Sequence, residues 1–192
     1  MTQIEIVPAS SDRFDDVEHA LTGGGDGASC WCQWWMLSAN EFESTSRAER
    51  RERLRGDLAA EPASALIAYV DGVAAGWVKV AARTKQPRLA RTRDLQTSPE
   101  PFDDPSVWAI TCFVVRREHR GGGVGTALLD AAIAHARSHG ARLVEGYPVD
   151  LAVKRASSDE LFHGALSTFV AAGFEEVARP APSRPIVSLA LG

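Results

Sequence analysis

The chain has 192 residues, a length that usually corresponds to one domain and that suffices for a sizeable hydrophobic core. Apolar residues make up 45% of it and charged residues 24%, which is ordinary for a water-soluble globular protein. The net charge of −4 speaks against a dedicated nucleic-acid-binding protein, which normally carries a basic excess. We therefore expect a single domain over residues 1–192 and no nucleic-acid partner.

The N-terminus and the cysteines indicate the compartment. Residues 1–10 lack the basic and apolar regions of a signal peptide. No apolar run approaches the roughly 20 residues of a membrane-spanning helix. The three cysteines are too few for a disulfide framework. We expect a cytoplasmic protein without a membrane partner.

The first half of the chain predicts three strands and two helices. Ser46 and Glu49 form the S-x-x-E pattern of a capping box, and Asp71–Gly72 is typical of a hairpin turn. In chain order the elements are a strand at Ile4–Val7, a helix at Asp12–Leu21, a helix at Ser44–Ala60, and strands at Ala63–Val70 and Val73–Ala82. Thr22–Gly27, with its glycines, is interpreted as an ordinary loop.

Cys30–Met36 has the unusual sequence C-W-C-Q-W-W-M. Two interpretations stay open, a hydrophobic plug packed on the sheet and a wall of an acceptor-binding pocket. A metal site would need two further ligands at suitable spacing, which a lone C-x-C does not provide.

Arg83–Ser106 is a long polar segment with four prolines. Loops of this length without structure are uncommon and often act as lids. We predict that it covers the active cleft. Asp103–Asp104, next to Pro105, are interpreted as turn residues.

The second half begins with an apolar central strand, Val107–Val115, which should be buried on both faces. A helix from Val124 to Gly140 and a strand at Ala141–Tyr147 follow, and this order makes the two strands parallel neighbours. The last predicted elements are a helix at Leu161–Ala172 and strands at Phe174–Ala178 and Ile186–Leu191.

Between the central strand and its helix lie a basic segment, R-R-E-H-R, and the glycine loop G-G-G-V-G-T at Gly121–Thr126. Glycines let a ligand approach the backbone, and a helix N-terminus attracts anions, so the loop predicts a phosphate site. A Walker A loop requires a lysine after the glycines and is excluded. A Rossmann loop requires a third glycine and a position near the chain start. The pattern that remains is Arg120-x-x-Gly123-x-Gly125.

This pattern, with the order of elements and the distal Gly173–Phe174, resembles the GNAT superfamily of acyl-CoA-dependent N-acyltransferases over nearly the whole chain. The C-W-C-x-W-W and E-G-Y-P-V-D motifs are similar to one bacterial branch. The resemblance implies an α/β domain with a mixed, mostly antiparallel sheet of six to seven strands. The sheet would contain a central parallel, splayed pair and be flanked by about four helices.

The resemblance also implies an N-acetyltransferase that uses acetyl-CoA, needs no metal, acylates a primary amine of a small molecule or peptide, and is a monomer or homodimer. The central strand would bind the pantetheine arm, the loop amides would bind the diphosphate, and Arg120 would shape the loop. The CoA-binding residues implied in this way are Phe113, Val114, Val115, Arg120, Gly121, Gly122, Gly123, Val124, Gly125 and Thr126.

The catalytic groups are less well indicated. Many superfamily members have a helix tyrosine and a central-strand glutamate where this chain has Phe169 and Ala109. These differences keep a second function open, a non-catalytic acyl-CoA-binding or sensor protein. Weak catalytic candidates are Tyr147, Glu145 and Asp150, at the end of the splayed strand. His163 is also a candidate, although a capping or surface histidine is the preferred interpretation. Cys112 could be a nucleophile, but in so apolar a strand a buried thiol is preferred.

Overall fold

The structure, a computed structural model, describes residues 3–157 and 160–192. Seven strands of this part form one sheet, ordered β1-β2-β3-β4-β5-β7-β6. Strands β4 and β5 pair in parallel, and the other neighbours pair antiparallel. The strands are β1 (Ile4–Pro8), β2 (Ala65–Val70), β3 (Val73–Ala82), β4 (Val107–Val115), β5 (Leu143–Gly146), β6 (Glu175–Ala181) and β7 (Arg184–Ala190). The predicted fold class is confirmed.

The described residues form six α-helices where the sequence predicted about four. They are α1 (Phe14–Leu21), α2 (Gly27–Cys30), α3 (Ala39–Ser44), α4 (Arg47–Asp57), α5 (Val124–Ser138) and α6 (Leu166–Ala171). The predicted helix at Ser44–Ala60 is wrong at its start, because Thr45 and Ser46 have extended backbones. Ser38–Glu41 and Ser46–Glu49 each form a complete capping box, so α3 and α4 are separate helices.

The predicted helix at Leu161–Ala172 is also interrupted. Gly164 has a φ of 80°, a left-handed conformation that no regular helix contains. The chain before it forms a 3₁₀ turn, Glu160–His163, and α6 begins only at Leu166. The hairpin turn predicted at Asp71–Gly72 is confirmed, since these two residues join β2 to β3 with positive φ angles of 49° and 82°.

The sheet has a hydrophobic core on each face. Helix α5 covers one face with apolar side chains at helical spacing, all of them buried, namely Val124, Leu128, Leu129, Ala132, Ile133 and Ala136. Helices α1 and α4 cover the other face, where Phe14, Leu54 and Trp77 belong to the second core. Strand β4, whose residues contribute to both cores, is therefore covered on both sides, as predicted. Among the described residues, no helix is long and apolar enough to span a membrane.

The parallel pairing of β4 and β5 is short. It runs from Val107–Leu143 to Ile110–Gly146, whereas β4 continues to Val115. A register shift in the pairing of β4 with β3 follows directly, between Ile110 and Cys112. Beyond Ile110 the β5 side of β4 is therefore free of a pairing strand, within the part of the chain that the structure describes.

The segment Arg83–Ser106 folds into three 3₁₀ turns, at Arg83–Lys85, Leu89–Arg91 and Arg93–Thr97. Leu89 and Leu95 are buried with Trp35 and Tyr147 in a third, smaller core. The segment is thus packed against the sheet along its length.

A buried ion pair anchors this segment. The Arg83 guanidinium lies 2.8 Å from the Glu145 carboxylate on β5, and neither side chain has any exposed surface. Arg83 also donates to the carbonyl oxygens of Glu100 and Pro101, at 2.8 and 2.6 Å. Ser98 donates to the same carboxylate. One arginine therefore binds both ends of the segment to the sheet.

We predict that Glu145→Gln lowers the free energy of unfolding by about 3–5 kcal/mol, because the Arg83 charge stays buried without its counter-ion. Urea denaturation measures the change. Glu118→Gln is the matched control, since it removes the carboxylate of an ion pair with Arg116 in which Glu118 is half exposed. A loss no larger than that of the control would contradict the prediction.

Candidate functional site

A cavity of about 1120 Å³ opens where β4 leaves β5. Its floor is the second half of β4, from Cys112 to Val115. The glycine loop and the start of α5 form one end, and aromatic side chains with the turn around His163 form the other. A single space thus joins the predicted phosphate site to the gap between the two parallel strands.

The glycine loop exposes backbone N–H groups at the first end. Gly121 and Gly123 have φ angles of 77° and 83°, which favour glycine. The first internal hydrogen bond of α5 runs from the Ala127 N–H to the Gly123 carbonyl, so the three N–H groups before it have no acceptor within the helix. With the helix dipole, they make the loop a candidate anion-binding site.

The structure brings nine of the ten predicted CoA-binding residues together in the cavity wall. The tenth, Gly122, is not part of the wall, and its Cα faces the His119 carbonyl. The Arg120 Nε donates to the Val115 carbonyl at 3.0 Å, which closes the loop onto the end of β4. Arg116 is bound elsewhere, to Glu118 at 2.7 Å and to the His19 carbonyl.

The loop at Thr22–Gly27 also reaches this end. Gly24, Gly25, Asp26 and Gly27 line the cavity opposite the glycine loop of α5. The Arg117 N–H donates to the Gly23 carbonyl at 3.2 Å. The loop therefore contributes to the site, which the sequence did not predict.

Cys30–Met36 fulfils both interpretations of its sequence. Trp31 is 2% exposed and packs in the core beneath α1 and α4, as a plug. Trp34 and Trp35 line the cavity, as a pocket wall. Trp35 donates from its indole nitrogen to the Thr111 carbonyl at 3.2 Å, and Trp34 packs edge-on against Phe42 at 5.1 Å.

The three catalytic candidates lie outside the cavity wall. The Tyr147 hydroxyl donates to Glu145 at 2.9 Å, and burial raises the pKa of Tyr147 well above its ordinary value. Glu145 is bound by Arg83 as described above. Asp150 pairs with Arg179 at 2.9 Å, and this contact lowers the pKa of Asp150. The structure therefore gives each of the three carboxyl and phenol groups a partner away from the cavity.

His163 is the titratable side chain that the sequence analysis undervalued. It is 5% exposed rather than a surface residue, and it lines the cavity between the rings of Phe162 and Trp35, at 3.9 and 5.8 Å. Its Nδ1 has no hydrogen-bond partner among the described residues. Burial lowers the pKa of His163 well below its ordinary value, and the charge of Arg184 acts in the same direction. The imidazole is therefore neutral at pH 7.

The signal that could have located His163 is the glycine that follows it. A side chain at Gly164 would come within 2.9 Å of the Phe169 ring. The absence of a side chain therefore lets the backbone of this turn pack directly against Phe169 in the cavity wall. Phe169 is fully buried and lies 6.0 Å from Phe113, edge-on. It has no proton to donate at this position.

Cys112 lines the cavity and is partly buried as a residue, packed against the second core. Its contact with Cys32, together with burial, raises the pKa of Cys112 well above the ordinary value. Burial likewise raises the pKa of Cys30 to about 11. At least these two thiols stay protonated at neutral pH, which makes them poor nucleophiles. The described residues contain no cluster of three or more histidine, cysteine or acidic side chains that could hold a metal ion.

Comparisons with known proteins give a family and a fold. The sequence model of the acetyltransferase (GNAT) family matches residues 30–155. No curated protein matches the chain significantly.

Many solved structures share the fold at low identity. The PaiA N-acetyltransferase from Thermoplasma acidophilum, solved in complex with coenzyme A, is 15% identical with a TM-score of 0.56, over 98% of this chain and 99% of that chain. The Escherichia coli ribosomal-protein-S18-alanine N-acetyltransferase is 13% identical with a TM-score of 0.52, over 98% and 94%. A putative phosphinothricin N-acetyltransferase is 17% identical with a TM-score of 0.54, over 99% of both chains.

The lowered pKa of His163 makes stability depend on pH. Below about pH 6.5 the unfolded chain binds a proton at this histidine and the folded protein does not, so stability falls as the pH falls. We predict that the free energy of unfolding of the wild type falls more steeply than that of His163→Gln between pH 7 and 5. The difference approaches about 1.4 kcal/mol per pH unit and is measured by urea denaturation at each pH. Equal slopes would show that His163 titrates normally.

Proposed function

Because the chain belongs to the acetyltransferase (GNAT) family, we propose that it transfers an acetyl group from acetyl-CoA directly to a primary amine of a small molecule or peptide. One observation carries the proposal: a single cavity joins an anion-binding glycine loop to the gap between β4 and β5 and to an aromatic wall. A donor and an acceptor can meet in such a space. The placement of the chain in a bacterial branch of the family, from its C-W-C-x-W-W and E-G-Y-P-V-D motifs, stays a prediction.

The donor would lie along the loop and the strand. The diphosphate would accept hydrogen bonds from the backbone of Gly121–Thr126, next to the Arg120 guanidinium. The pantetheine arm would bind the free edge of β4 at Phe113–Val115, where pairing with β5 has ended. The thioester would then reach the widening gap near Cys112, one wall of which is the Phe169 ring.

The reaction proposed is a direct transfer. The lone pair of the amine attacks the thioester carbonyl, a C–N bond forms, and the C–S bond breaks to release the CoA thiolate. The amine nitrogen loses one proton and the thiolate gains one. We assign this proton to His163, which accepts it as a neutral imidazole and passes it to the thiolate, because it is the neutral base in the wall at this end of the cavity.

The second candidate is a protein that binds acyl-CoA without catalysis. Phe169 favours it, since this position offers no proton to the leaving thiolate. The two functions differ in one measurable respect. The enzyme releases CoA in the presence of an acceptor amine, and the sensor binds acetyl-CoA without releasing CoA from it.

We predict thiol release from acetyl-CoA with at least one member of a panel of amines. Gly125→Asp should abolish both CoA binding, measured by calorimetry, and activity, because it places a carboxylate beside the bound diphosphate. The position has open space around it, so the variant should fold, and Gly125→Ala should retain CoA binding. Undiminished CoA affinity in a folded Gly125→Asp protein would refute the donor site. CoA binding without thiol release across the panel would favour the sensor.

We further predict that His163→Gln lowers kcat by about 100-fold, the contribution of a typical general base. In the wild type, kcat should hold through pH 6.5 and fall only at more acidic pH, because burial lowers the pKa of His163 well below its ordinary value. The variant should lack this acid limb and keep the wild-type KM for acetyl-CoA. Asp150→Asn serves as the comparison, since its carboxylate lies outside the cavity wall in an ion pair with Arg179, and the acid limb should persist. An acid limb that survives in His163→Gln would assign the proton transfer to another group.

A further inference from the structure

The end of the cavity opposite the glycine loop contains an arginine without a counter-ion. Arg184 begins β7, is half-buried, and contributes to the cavity wall together with Thr92 and His163. Its charge lowers the pKa of His163, so the two side chains lie close enough to interact. The guanidinium thus lines the same cavity as the imidazole to which we assign the proton transfer.

Arg184 has neither a carboxylate nor a hydrogen-bond acceptor among the described residues, whereas Arg50 and Arg88, which are also partly buried and lack a carboxylate, donate to backbone carbonyls. Within residues 3–157 and 160–192 no carboxylate oxygen lies within 4.0 Å of its guanidinium, and its side chain donates no hydrogen bond. Each of five other arginines has such a carboxylate, namely Arg51, Arg83, Arg116, Arg142 and Arg179. Burial of a guanidinium without an anion costs free energy, which a bound anion would offset.

The nearby carboxylates do not supply that anion. Glu160 and Asp94 interact with Arg184 only from a distance. Glu160 is held by Lys154 at 2.6 Å, and Asp94 is exposed. The one carboxylate in the described cavity wall is Asp26, on the loop facing the glycine loop at the other end.

The remaining wall at this end is aromatic and uncharged, with Trp34, Trp35 and Phe42. In such surroundings the charge of Arg184 is poorly screened. An acceptor that is only cationic, such as a polyamine or a lysine side chain, would bring a second positive charge to it. An acceptor that carries a carboxylate next to its amine would be attracted, and arginine binds carboxylates through two parallel N–H groups.

We infer from this arrangement that the acceptor is an α-amino acid or a close analogue, whose carboxylate Arg184 binds while its amine faces His163. The inference rests on the proposed function and specifies its acceptor. In an α-amino acid the two groups are separated by one carbon atom, so a carboxylate on Arg184 keeps the amine inside the cavity that His163 also lines. Arg184 is then a specificity-determining residue, which selects the acceptor without taking part in the bond changes.

The test compares α-amino acids with their own α-carboxamides, which keep the amine and the side chain and lose the anion. Thiol release from acetyl-CoA gives kcat and KM, and calorimetry on the CoA complex gives binding whether or not turnover occurs. For the best amino acid, we expect kcat/KM in the wild type to exceed that of its amide by about 10- to 100-fold, the value of a charged hydrogen-bonded contact. We expect the dissociation constant of the amide to exceed that of the amino acid by the same factor.

Arg184→Gln should abolish this preference, mainly through the KM of the amino acid, and leave the KM of acetyl-CoA unchanged. Arg184→Lys keeps the positive charge but loses the planar guanidinium, so it should keep part of the preference for amino acids over their amides. The inference would be overturned if the amides bound the wild type as tightly as the amino acids, or if no amino acid bound at all. It would also be overturned if Arg184→Gln weakened the binding of amino acids and amides equally.

The same measurements separate this inference from the proposed function. Preferential binding of amino acids without thiol release would support the anion site and refute the acetyltransferase activity. If amides and simple amines supported thiol release as efficiently as amino acids, the result would support the acetyltransferase activity and refute the assignment of Arg184.

Discussion

The site depends on one constraint in the sheet, the early end of parallel pairing between β4 and β5. Ile110 and Gly146 are the last paired residues, and β4 then continues alone on that side to Val115. The Phe169 ring occupies the place where a side chain on Gly146 would otherwise extend. Because the two strands separate at this point, the interior of the sheet becomes accessible from outside. The glycine loop that follows β4 is placed at one mouth of the opening, and the turn around His163 at the other.

The Arg83–Glu145 pair and the polar groups of the cavity wall differ in their hydrogen bonding, although one buried cation outside the cavity, Lys79, also lacks a partner for its Nζ among the described residues. Arg83 and Glu145 are fully buried, yet each has several hydrogen-bond partners, and they fasten the long Arg83–Ser106 segment. In the cavity, Arg184 and the Nδ1 of His163 have no such partners among the described residues. Buried polar groups are normally paired. Those left unpaired in a cavity wall indicate where a ligand completes the hydrogen bonding.

Much of the framework could be predicted because it depends on local signals. The apolar run at Val107–Val115, the turn at Asp71–Gly72 and the periodicity of α5 each specify their element within a short stretch of chain. The glycine loop was found in the same way, since its spacing is itself the signal. The boundary between α3 and α4 was missed because the pattern around Ser46 was taken as a cap inside one longer helical region, although a cap marks a helix start.

The sequence by itself determined the parallel pair and the position of the glycine loop, because periodicity and loop spacing are properties of neighbouring residues, and its resemblance to the GNAT superfamily implied the class of fold. Tertiary structure alone decided which polar groups serve the site. Glu145 and Tyr147 looked available at the end of β5, and the fold bonds them to each other and to an arginine 62 residues away in the chain. His163 was interpreted as a capping or surface residue, and packing places it in the cavity wall together with Arg184. Burial and pairing arise from contacts between distant segments, which no local pattern encodes.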